Sequence, residues 1–354
     1  MRNKQAIARL LIFYFLSTAI CFAQEVGVNK KLGKISKLFL TDSVLPIKMS
    51  YSFKELRKNT NDSTYLNIDL LYEQASGNWQ SIPVRVRSRG NFRLKKCYFP
   101  PVKMRIKKAK AKGTLFKGNK ELKLVLPCLL EKNADDNVIK ELIAYKIYEL
   151  ASPYHYKTKL LNISLSEFKG KKIKEHQVKG FFIEDTKKVA DRAGGHVLKR
   201  NVHPMQQETL SSIRNEFFQF MIGNTDYSSG YQHNEKLLFV NKNTVPVPYD
   251  FDMSGLCNTS YSVVSQIKGQ ELHITEVTER MYRGFKRNDA VMFQVKNEFL
   301  ENQEKMLSIV DAHETYFKNP QEFIKSKKYI QEFFKILADD KRFQREIMNR
   351  ARTK

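Results

Sequence analysis

The side chains best suited to chemistry lie in three short polar strings, set among apolar residues in the second half of the chain. They are Ile222–Asp226, His233–Lys236 and Val247–Asp252. The first string follows an apolar helical pattern, and the other two lie at the start and end of a predicted β-hairpin. Because a hairpin returns the chain to its starting point, Asn234 and Asp250 should lie close together.

These strings supply the oxygen donors that a hard cation requires. Mg²⁺ is usually held by one or two carboxylates together with phosphate oxygens. Asn234 and Asp250 are therefore candidate metal ligands, with Asp252 two residues further on. A further carboxylate, Asp226, could accept a proton from an attacking hydroxyl group. This order of a base, an amide ligand, a hairpin and a carboxylate ligand is typical of phosphoryl transfer. We interpret the neighbouring His233 as a structural hydrogen-bonding residue.

The strings GNTD, HNEK and PYDFD, in this order after an apolar helix, resemble the atypical kinases of the CotH spore-coat and HipA-like groups. Two upstream strings, Arg87–Gly90 and Pro101–Arg105, resemble the phosphate-side segment of CotH-type proteins. Lys179–Asp185 resembles the segment that leads into the connection between the lobes. The chain is thus similar, over most of its middle part, to a secreted CotH-like protein of the Bacteroidetes type.

The resemblance implies a role for each matching residue. Asp226 matches the catalytic base, and Asn234 and Asp250 match the metal ligands, with Asp252 as the alternative to Asp250. Lys103 matches the phosphate-contacting lysine. The other residues expected on the nucleotide side are Arg89, Arg105, which shares a strand face with Lys103, and Glu184.

The implied cofactors are Mg²⁺ or Mn²⁺ and ATP or another nucleotide. The implied activity is the transfer of a phosphoryl group to a hydroxyl acceptor, expected on a protein, outside the cytoplasm.

The expected fold is α+β and kinase-like, with two lobes and a cleft between them. Residues 37–185 read mainly as strands, for example Ile82–Arg89, where apolar and basic residues alternate. A helix is expected at 137–151, inserted in this strand-rich N-lobe, and its Glu141 is interpreted as an exposed charge, with pairing to Lys103 as the alternative. Residues 186–354 are expected to form a helical C-lobe that carries the catalytic loop and the metal-binding hairpin.

The N-terminus has the layout of a secretory signal peptide. Residues 1–23 combine a basic start with the apolar stretch Leu10–Ala23, and cleavage is predicted after Ala23. A membrane-spanning helix needs roughly 20 apolar residues, so this stretch is short for one. We expect a secreted, periplasmic or cell-envelope protein that is not an integral membrane protein after cleavage. A basic lead-in at 24–36 follows.

Three cysteines remain beyond this segment, and their spacing fits no zinc motif. Cys97 and Cys128 both border predicted strands of one region, so they are the favoured pair for a disulfide in an oxidising compartment. Three buried free thiols, with Cys257 as the third, remain the alternative.

Composition and charge limit which other classes of protein the chain could belong to. Aromatic residues make up 12% of the chain, which excludes a disordered protein. The 62 Lys and Arg residues exceed the 37 Asp and Glu residues, which favours anionic partners. A non-catalytic envelope protein that binds anionic glycan or lipid therefore remains an alternative, as does a metal-dependent phosphoesterase. Nucleic-acid binding is not expected, because the sequence has no recognisable nucleic-acid-binding motif.

Overall fold

Alternation of apolar and polar residues in the first half of the chain builds a closed β-barrel. The structure is a computed structural model and describes residues 33–90, 92–264 and 272–353. Inward-facing side chains such as Val86, Met104 and Leu161 fill the barrel core. The barrel strands within these residues are β1 (Leu45–Tyr51), β2 (Leu66–Glu73), β3 (Trp79–Ser88), β4 (Val102–Arg105), β5 (Glu121–Val125), β6 (Thr158–Lys169) and β7 (Lys172–Ile183).

The barrel closes where β1 meets β6. The strand order is β1-β2-β3-β4-β5-β7-β6, and β1 pairs in parallel with β6, from Leu45 opposite Leu161 to Tyr51 opposite Glu167. The expected kinase-like bilobal fold is therefore wrong, although the α+β class is right. Hairpin signals report only pairs of strands that follow one another, so they could not reveal a parallel pairing between strands far apart in the chain.

The described residues contain ten α-helices and a second, smaller sheet. The sheet has the order β10-β9-β8, with β8 (His196–Leu198), β9 (Glu235–Val240) and β10 (Asn243–Pro248). The helices are α1 (Phe53–Lys58), α2 (Phe92–Lys96), α3 (Lys108–Ala111), α4 (Ala134–Ala151), α5 (Thr186–Arg192), α6 (Thr209–Met221), α7 (Asp289–Glu301), α8 (Gln303–Ala312), α9 (Pro320–Ala338) and α10 (Asp340–Glu346).

Helix α4 joins the outer face of the barrel to the C-terminal helices. It is buried nearly all round and packs against β6, β7, α6 and α8, so it lies in a second core outside the barrel. Its first turn carries two buried carboxylates. Asp135 accepts a hydrogen bond from Lys179 N in β7 (2.9 Å), and Asp136 accepts bonds from Lys318 N (2.7 Å) and Asn319 N (3.1 Å). The start of α4 is thereby bonded to the barrel and to the segment that precedes α9.

Cys97 and Cys128 form a disulfide, the pairing favoured by the sequence, and Cys257 is a buried free thiol. Within the described ranges, no helix combines the length and apolar character needed to cross a membrane. The predicted signal peptide, its cleavage point after Ala23 and most of the basic lead-in lie outside the described residues.

We predict that Gly180→Ala destabilises the barrel. A Cβ at this position in β7 would lie 2.5 Å from Ile163 Cδ1 and 2.7 Å from the carbonyl oxygen of Val125, so the neighbours would have to move. Overpacking of this kind costs about 1–3 kcal/mol, measurable as a lower midpoint in urea unfolding. The matched control is Gly230→Ala, where the new Cβ would meet only ordinary contact at 3.7 Å. Equal midpoints for the two variants would contradict this close packing.

Candidate functional site

A cavity of about 750 Å³ lies between the barrel strands β3–β5 and the β9–β10 hairpin. Its hairpin side carries oxygen donors together with Lys236, and its barrel side carries cations. The oxygen donors are Asp226, Asn234, Asp250 and Asp252. The barrel cations are Arg87, Arg89, Lys103 and Lys123, with Arg93 at one end.

The hairpin brings Asn234 and Asp250 together as the spacing predicts. Strand β9 pairs with β10 in a continuous register, and the turn at Asn241 and Lys242 has positive φ at both residues (48° and 66°). This is the conformation that two-residue hairpin turns favour. At the open end, the Tyr249 amide donates a hydrogen bond to the carbonyl oxygen of Asn234 (3.0 Å).

Both ends of the hairpin have unusual backbone conformations. Asn234 and Asp250 have φ values of 51° and 68°, in the left-handed region that Asn and Asp tolerate better than most residues. The Asp250 amide is fixed by a hydrogen bond to Tyr145 Oη (2.9 Å), contributed by α4. Backbone strain of this kind is concentrated at functional sites in many proteins.

Asp226 follows α6 and is held by two neighbours. Its Oδ1 lies 3.1 Å from His233 Nε2, and its Oδ2 accepts a hydrogen bond from Asn234 Nδ2 (2.9 Å). The hydrogen bond and the negative charge of Asp226 raise the pKa of His233. Because Asn234 Nδ2 is committed to Asp226, the amide oxygen Oδ1 is the atom that Asn234 can offer to a cation.

Arg93 lies against the two aspartates of the PYDFD string. Its Nη1 is 3.8 Å from Asp250 Oδ1, and its Nε is 3.6 Å from Asp252 Oδ2. Burial alone would lower the pKa of Arg93, but Asp252 and the other neighbouring groups raise it above its ordinary value. Asp252 is more enclosed than Asp250, with side chains 6% and 26% exposed, and it also accepts a hydrogen bond from Tyr261 Oη (2.9 Å).

Glu141 is not the exposed charge that the sequence suggested. It is buried in α4, and its Oε1 has no hydrogen-bond partner among the described residues. Burial and the charge of Asp252 raise its pKa. Glu141, Arg93, Asp252 and Tyr261 line a small cavity of about 10 Å³, the size of one water molecule. Helix α4 is buried on most of its surface, so apolar spacing along the helix could not show that Glu141 lies near an arginine.

The disulfide holds Arg93 in this position. Arg93 lies in α2, and its carbonyl oxygen accepts a hydrogen bond from the Cys97 amide (2.9 Å). Its side chain reaches the other bonded segment, where Nη2 donates to the carbonyl oxygen of Leu126 (2.9 Å), two residues before Cys128. The Cys97–Cys128 bond therefore fixes the two backbone segments that Arg93 bridges.

The predicted nucleotide-side residues are divided between the cavity and other places. Arg89 and Lys103 line the cavity, although Lys103 Nζ also contacts Glu121 (2.7 Å). Arg105 lies outside the cavity lining and pairs with Glu121. Glu184 is buried away from the cavity, where it accepts hydrogen bonds from Lys157 N (3.2 Å) and Arg192 Nη2 (3.0 Å). Glu184 thus braces the end of β7 and does not face the cavity.

Sequence reasoning missed Lys123, a half-buried cation of the cavity. Its Nζ lies 3.9 Å from the centre of the Tyr249 ring. Burial, reinforced by the charge of Arg89 and opposed by Asp250, lowers its pKa to about 7. Lys123 lies opposite Lys103 in the β4–β5 register. A prediction that these two strands pair would therefore have placed Lys123 beside Lys103.

The oxygen donors fit a magnesium ion that completes its coordination with phosphate and water. In the part of the chain that the structure describes, no three His, Cys, Asp or Glu side chains form a metal-binding group. Asn234 and Asp250 nevertheless match the one or two protein ligands that Mg²⁺ takes beside a nucleotide. Asp250 fits this role better than Asp252, because Asp252 is enclosed and already bonded to Tyr261.

Comparison with known proteins gives no family assignment. No protein-family model matches this chain, and no curated protein sequence matches it. The likeness to CotH-type kinases therefore depends on the ordered strings, all three of which contribute residues to one cavity.

We predict that Lys123→Met stabilises the fold near neutral pH. The unfolded lysine is protonated below about pH 10.4, whereas the folded one loses its proton above a pKa of about 7, so the stability of the native protein rises with pH between these values. The stability advantage of Lys123→Met should therefore fall by on the order of 3 kcal/mol from pH 7 to pH 10.

Urea unfolding at the two pH values measures this change, with the exposed Lys107→Met as the control. A constant difference between Lys123→Met and the native protein would show that the lysine is not held in its neutral form.

Proposed function

We propose that this protein is a metal- and nucleotide-dependent phosphotransferase that acts outside the cytoplasm. It would pass a phosphoryl group from a Mg²⁺ or Mn²⁺ complex of ATP, or of another nucleotide, to a hydroxyl group on an acceptor such as a protein. One observation carries the proposal. The cations of the barrel wall face the oxygen donors of the hairpin wall across a single cavity large enough for a nucleotide.

The barrel wall supplies the groups that hold phosphates. Lys123, Arg89 and Lys103 converge from β5, the end of β3 and β4. We assign the main phosphate contact to Lys123, because Lys103 already has Glu121 as a partner. A phosphate oxygen beside the Lys123 ammonium group would favour its charged form. Charge stabilisation of this kind is strong in an enclosed site.

The hairpin wall supplies the metal ligands. Asn234 Oδ1 and the Asp250 carboxylate are the two protein atoms assigned to the ion. When bound, the metal would neutralise charge on the phosphate oxygens. The left-handed backbone at both residues sets their side chains toward the same cavity.

Asp226 is assigned as the base that receives the acceptor's proton. The acceptor oxygen forms a bond to phosphorus, the bond from phosphorus to the nucleotide oxygen breaks, and the hydroxyl proton moves to the carboxylate. His233 and Asn234 each hold one oxygen of this carboxylate, so its orientation is fixed before the acceptor arrives. Positioning of this kind supplies much of the rate in phosphoryl transfer.

We also propose a relationship to the CotH-like kinases of the secreted Bacteroidetes type. It is supported by the ordered GNTD, HNEK and PYDFD strings, and it extends to the chemistry and not to the fold. Export is supported by the predicted signal peptide and by the Cys97–Cys128 disulfide, since such bonds persist in oxidising compartments.

A non-catalytic anion-binding protein is the second candidate. The observation that favours it is the position of Arg93, whose guanidinium lies between the two aspartates and supplies a positive charge there. In that case the cavity would bind an anionic ligand through its barrel cations and transfer nothing.

We predict that Asp226→Asn lowers phosphoryl transfer by about 10²–10⁴-fold, the usual contribution of a general base. The measurement uses the chain beginning at Gln24 with terminally labelled ATP and Mg²⁺, and it follows both label incorporation and release of inorganic phosphate. Nucleotide binding should persist in the variant, and Asp191→Asn, at an exposed position in α5, is the matched control.

Equal incorporation by the native and Asp226→Asn proteins would eliminate the assigned base. Release of phosphate without incorporation would indicate a phosphoesterase. Nucleotide binding without either product would favour the second candidate.

We predict that Asp250→Asn and Asp252→Asn have different effects. Asp250→Asn should raise the Mg²⁺ concentration needed for half-maximal activity, with little loss of stability. Asp252→Asn removes the closer partner of a buried arginine, and breaking a buried pair costs about 3–5 kcal/mol. Magnesium titrations and urea unfolding of both variants test whether Asp250 binds the metal and Asp252 stabilises the arginine. The reverse pattern would make Asp252 the ligand.

A further inference from the structure

The tip of the β6–β7 hairpin extends beyond the body of the barrel. Every residue from 168 to 175 is exposed, and Gly170, with a φ of 61°, forms the turn with Lys171. Phe168 and Ile173 are cross-strand partners, so they lie side by side on one face. Their exposed fractions are 41% and 60%, although both are large apolar side chains.

Lysines flank this apolar pair along the chain, with Lys171 in the turn and Lys169, Lys172 and Lys174 on the opposite face of the hairpin. The tip carries Lys169, Lys171, Lys172 and Lys174, and its only acidic residue within 168–175 is Glu175. Two exposed lysines of α2, Lys95 and Lys96, lie just before Tyr98 in sequence. Tyr98 in turn contacts the tip, because Lys169 Nζ donates a hydrogen bond to its Oη (3.1 Å) and Lys174 Nζ lies 5.2 Å from its ring centre.

The base of the tip is braced from inside the barrel. The buried Glu167 accepts a hydrogen bond from Tyr98 Oη (2.6 Å), and its Oε2 lies 3.1 Å from His176 Nε2. The β6–β7 register continues without interruption to Lys169 and Lys172, the last pair before the turn. The strand pairing and the buried base therefore hold the apolar pair outward in a fixed direction.

We propose that this hairpin tip docks onto a bilayer that contains anionic phospholipid. Phe168 and Ile173 would enter the interface between headgroups and acyl chains, and the tip lysines would contact lipid phosphates. Apolar side chains with adjacent cations are the combination that binds such interfaces, and each lysine near an anionic leaflet adds to the attraction. An apolar pair at a narrow tip is too small for a standard protein–protein interface, which buries about 800 Å² on each partner. A soluble polyanion would make no use of the apolar pair.

The test is cosedimentation of the chain beginning at Gln24 with lipid vesicles. This chain lacks the apolar stretch at 10–23, and both cores lie wholly within the retained residues. The native protein should bind vesicles of equimolar phosphatidylcholine and phosphatidylglycerol and not vesicles of phosphatidylcholine alone. Phe168→Ser with Ile173→Ser, and separately Lys171→Glu with Lys172→Glu, should each weaken binding by about tenfold or more.

Two controls address exposed residues elsewhere. Ile324→Ser removes an apolar side chain that is 51% exposed on α9, and Lys107→Glu with Lys108→Glu changes another basic segment. Both should bind as the native protein does. The proposal is overturned if the native protein does not bind anionic vesicles, or if the control variants lose as much binding as the tip variants. The proposal is also overturned if the lysine variant loses binding and the Phe168→Ser, Ile173→Ser variant does not, because the partner would then be a soluble polyanion.

A fluorescence measurement tests insertion directly. Trp79 is the chain's single tryptophan, so a Trp79→Phe background leaves none. In that background, Phe168→Trp should show a blue shift in emission on adding anionic vesicles, whereas Phe293→Trp, at a site 40% exposed on α7, should not. Identical spectra with and without vesicles at position 168 would refute insertion.

Discussion

A buried guanidinium, that of Arg93, is the charge around which the candidate site is organised. An isolated charge is costly to bury, and the cost is offset only when opposite charges and hydrogen bonds surround it. Arg93 has opposite charges nearby on Asp250 and Asp252 after β10, and it donates a hydrogen bond to the carbonyl of Leu126 after β5. Its Nε and Nη1 have no hydrogen-bond partner among the described residues, so the two aspartates carry most of the compensation. The packing of the barrel against the β9–β10 hairpin is therefore coupled to the charge balance of the cavity.

Helix α4 also links the barrel to the end of the β9–β10 hairpin. It carries Tyr145, which accepts a hydrogen bond from the Asp250 amide, and Glu141, which lines a small cavity together with Arg93. Its Asp135 and Asp136 anchor its start to the barrel and to the segment before α9. One buried helix thus fixes the hairpin end, the surroundings of Arg93 and the C-terminal helices with respect to one another. Cations of the barrel and acids of the hairpin can then face each other across a fixed distance.

Local patterns in the sequence predicted much of this arrangement. Apolar spacing predicts α6 and α4, and the return of the hairpin predicts that Asn234 lies beside Asp250. The barrel closure between β1 and β6 was not predictable, because no local signal marks a parallel pairing of distant strands. Lys123 and Glu141 were missed for a related reason. Their neighbours come from other elements, and burial of a charged side chain leaves no trace in the periodicity of its own strand or helix.

The disulfide gives the site a dependence on its chemical surroundings. Cys97 and Cys128 do not touch the cavity's oxygen donors, yet their bond ties together the two segments bridged by Arg93. If the sulfurs were reduced, the barrel ladder would remain, since none of its hydrogen bonds involves them. The short helix that carries the arginine would lose its covalent anchor, and two aspartates would lose a firmly placed counter-charge. In a reducing environment the newly made chain would therefore hold Arg93 less firmly, and oxidation would complete the site.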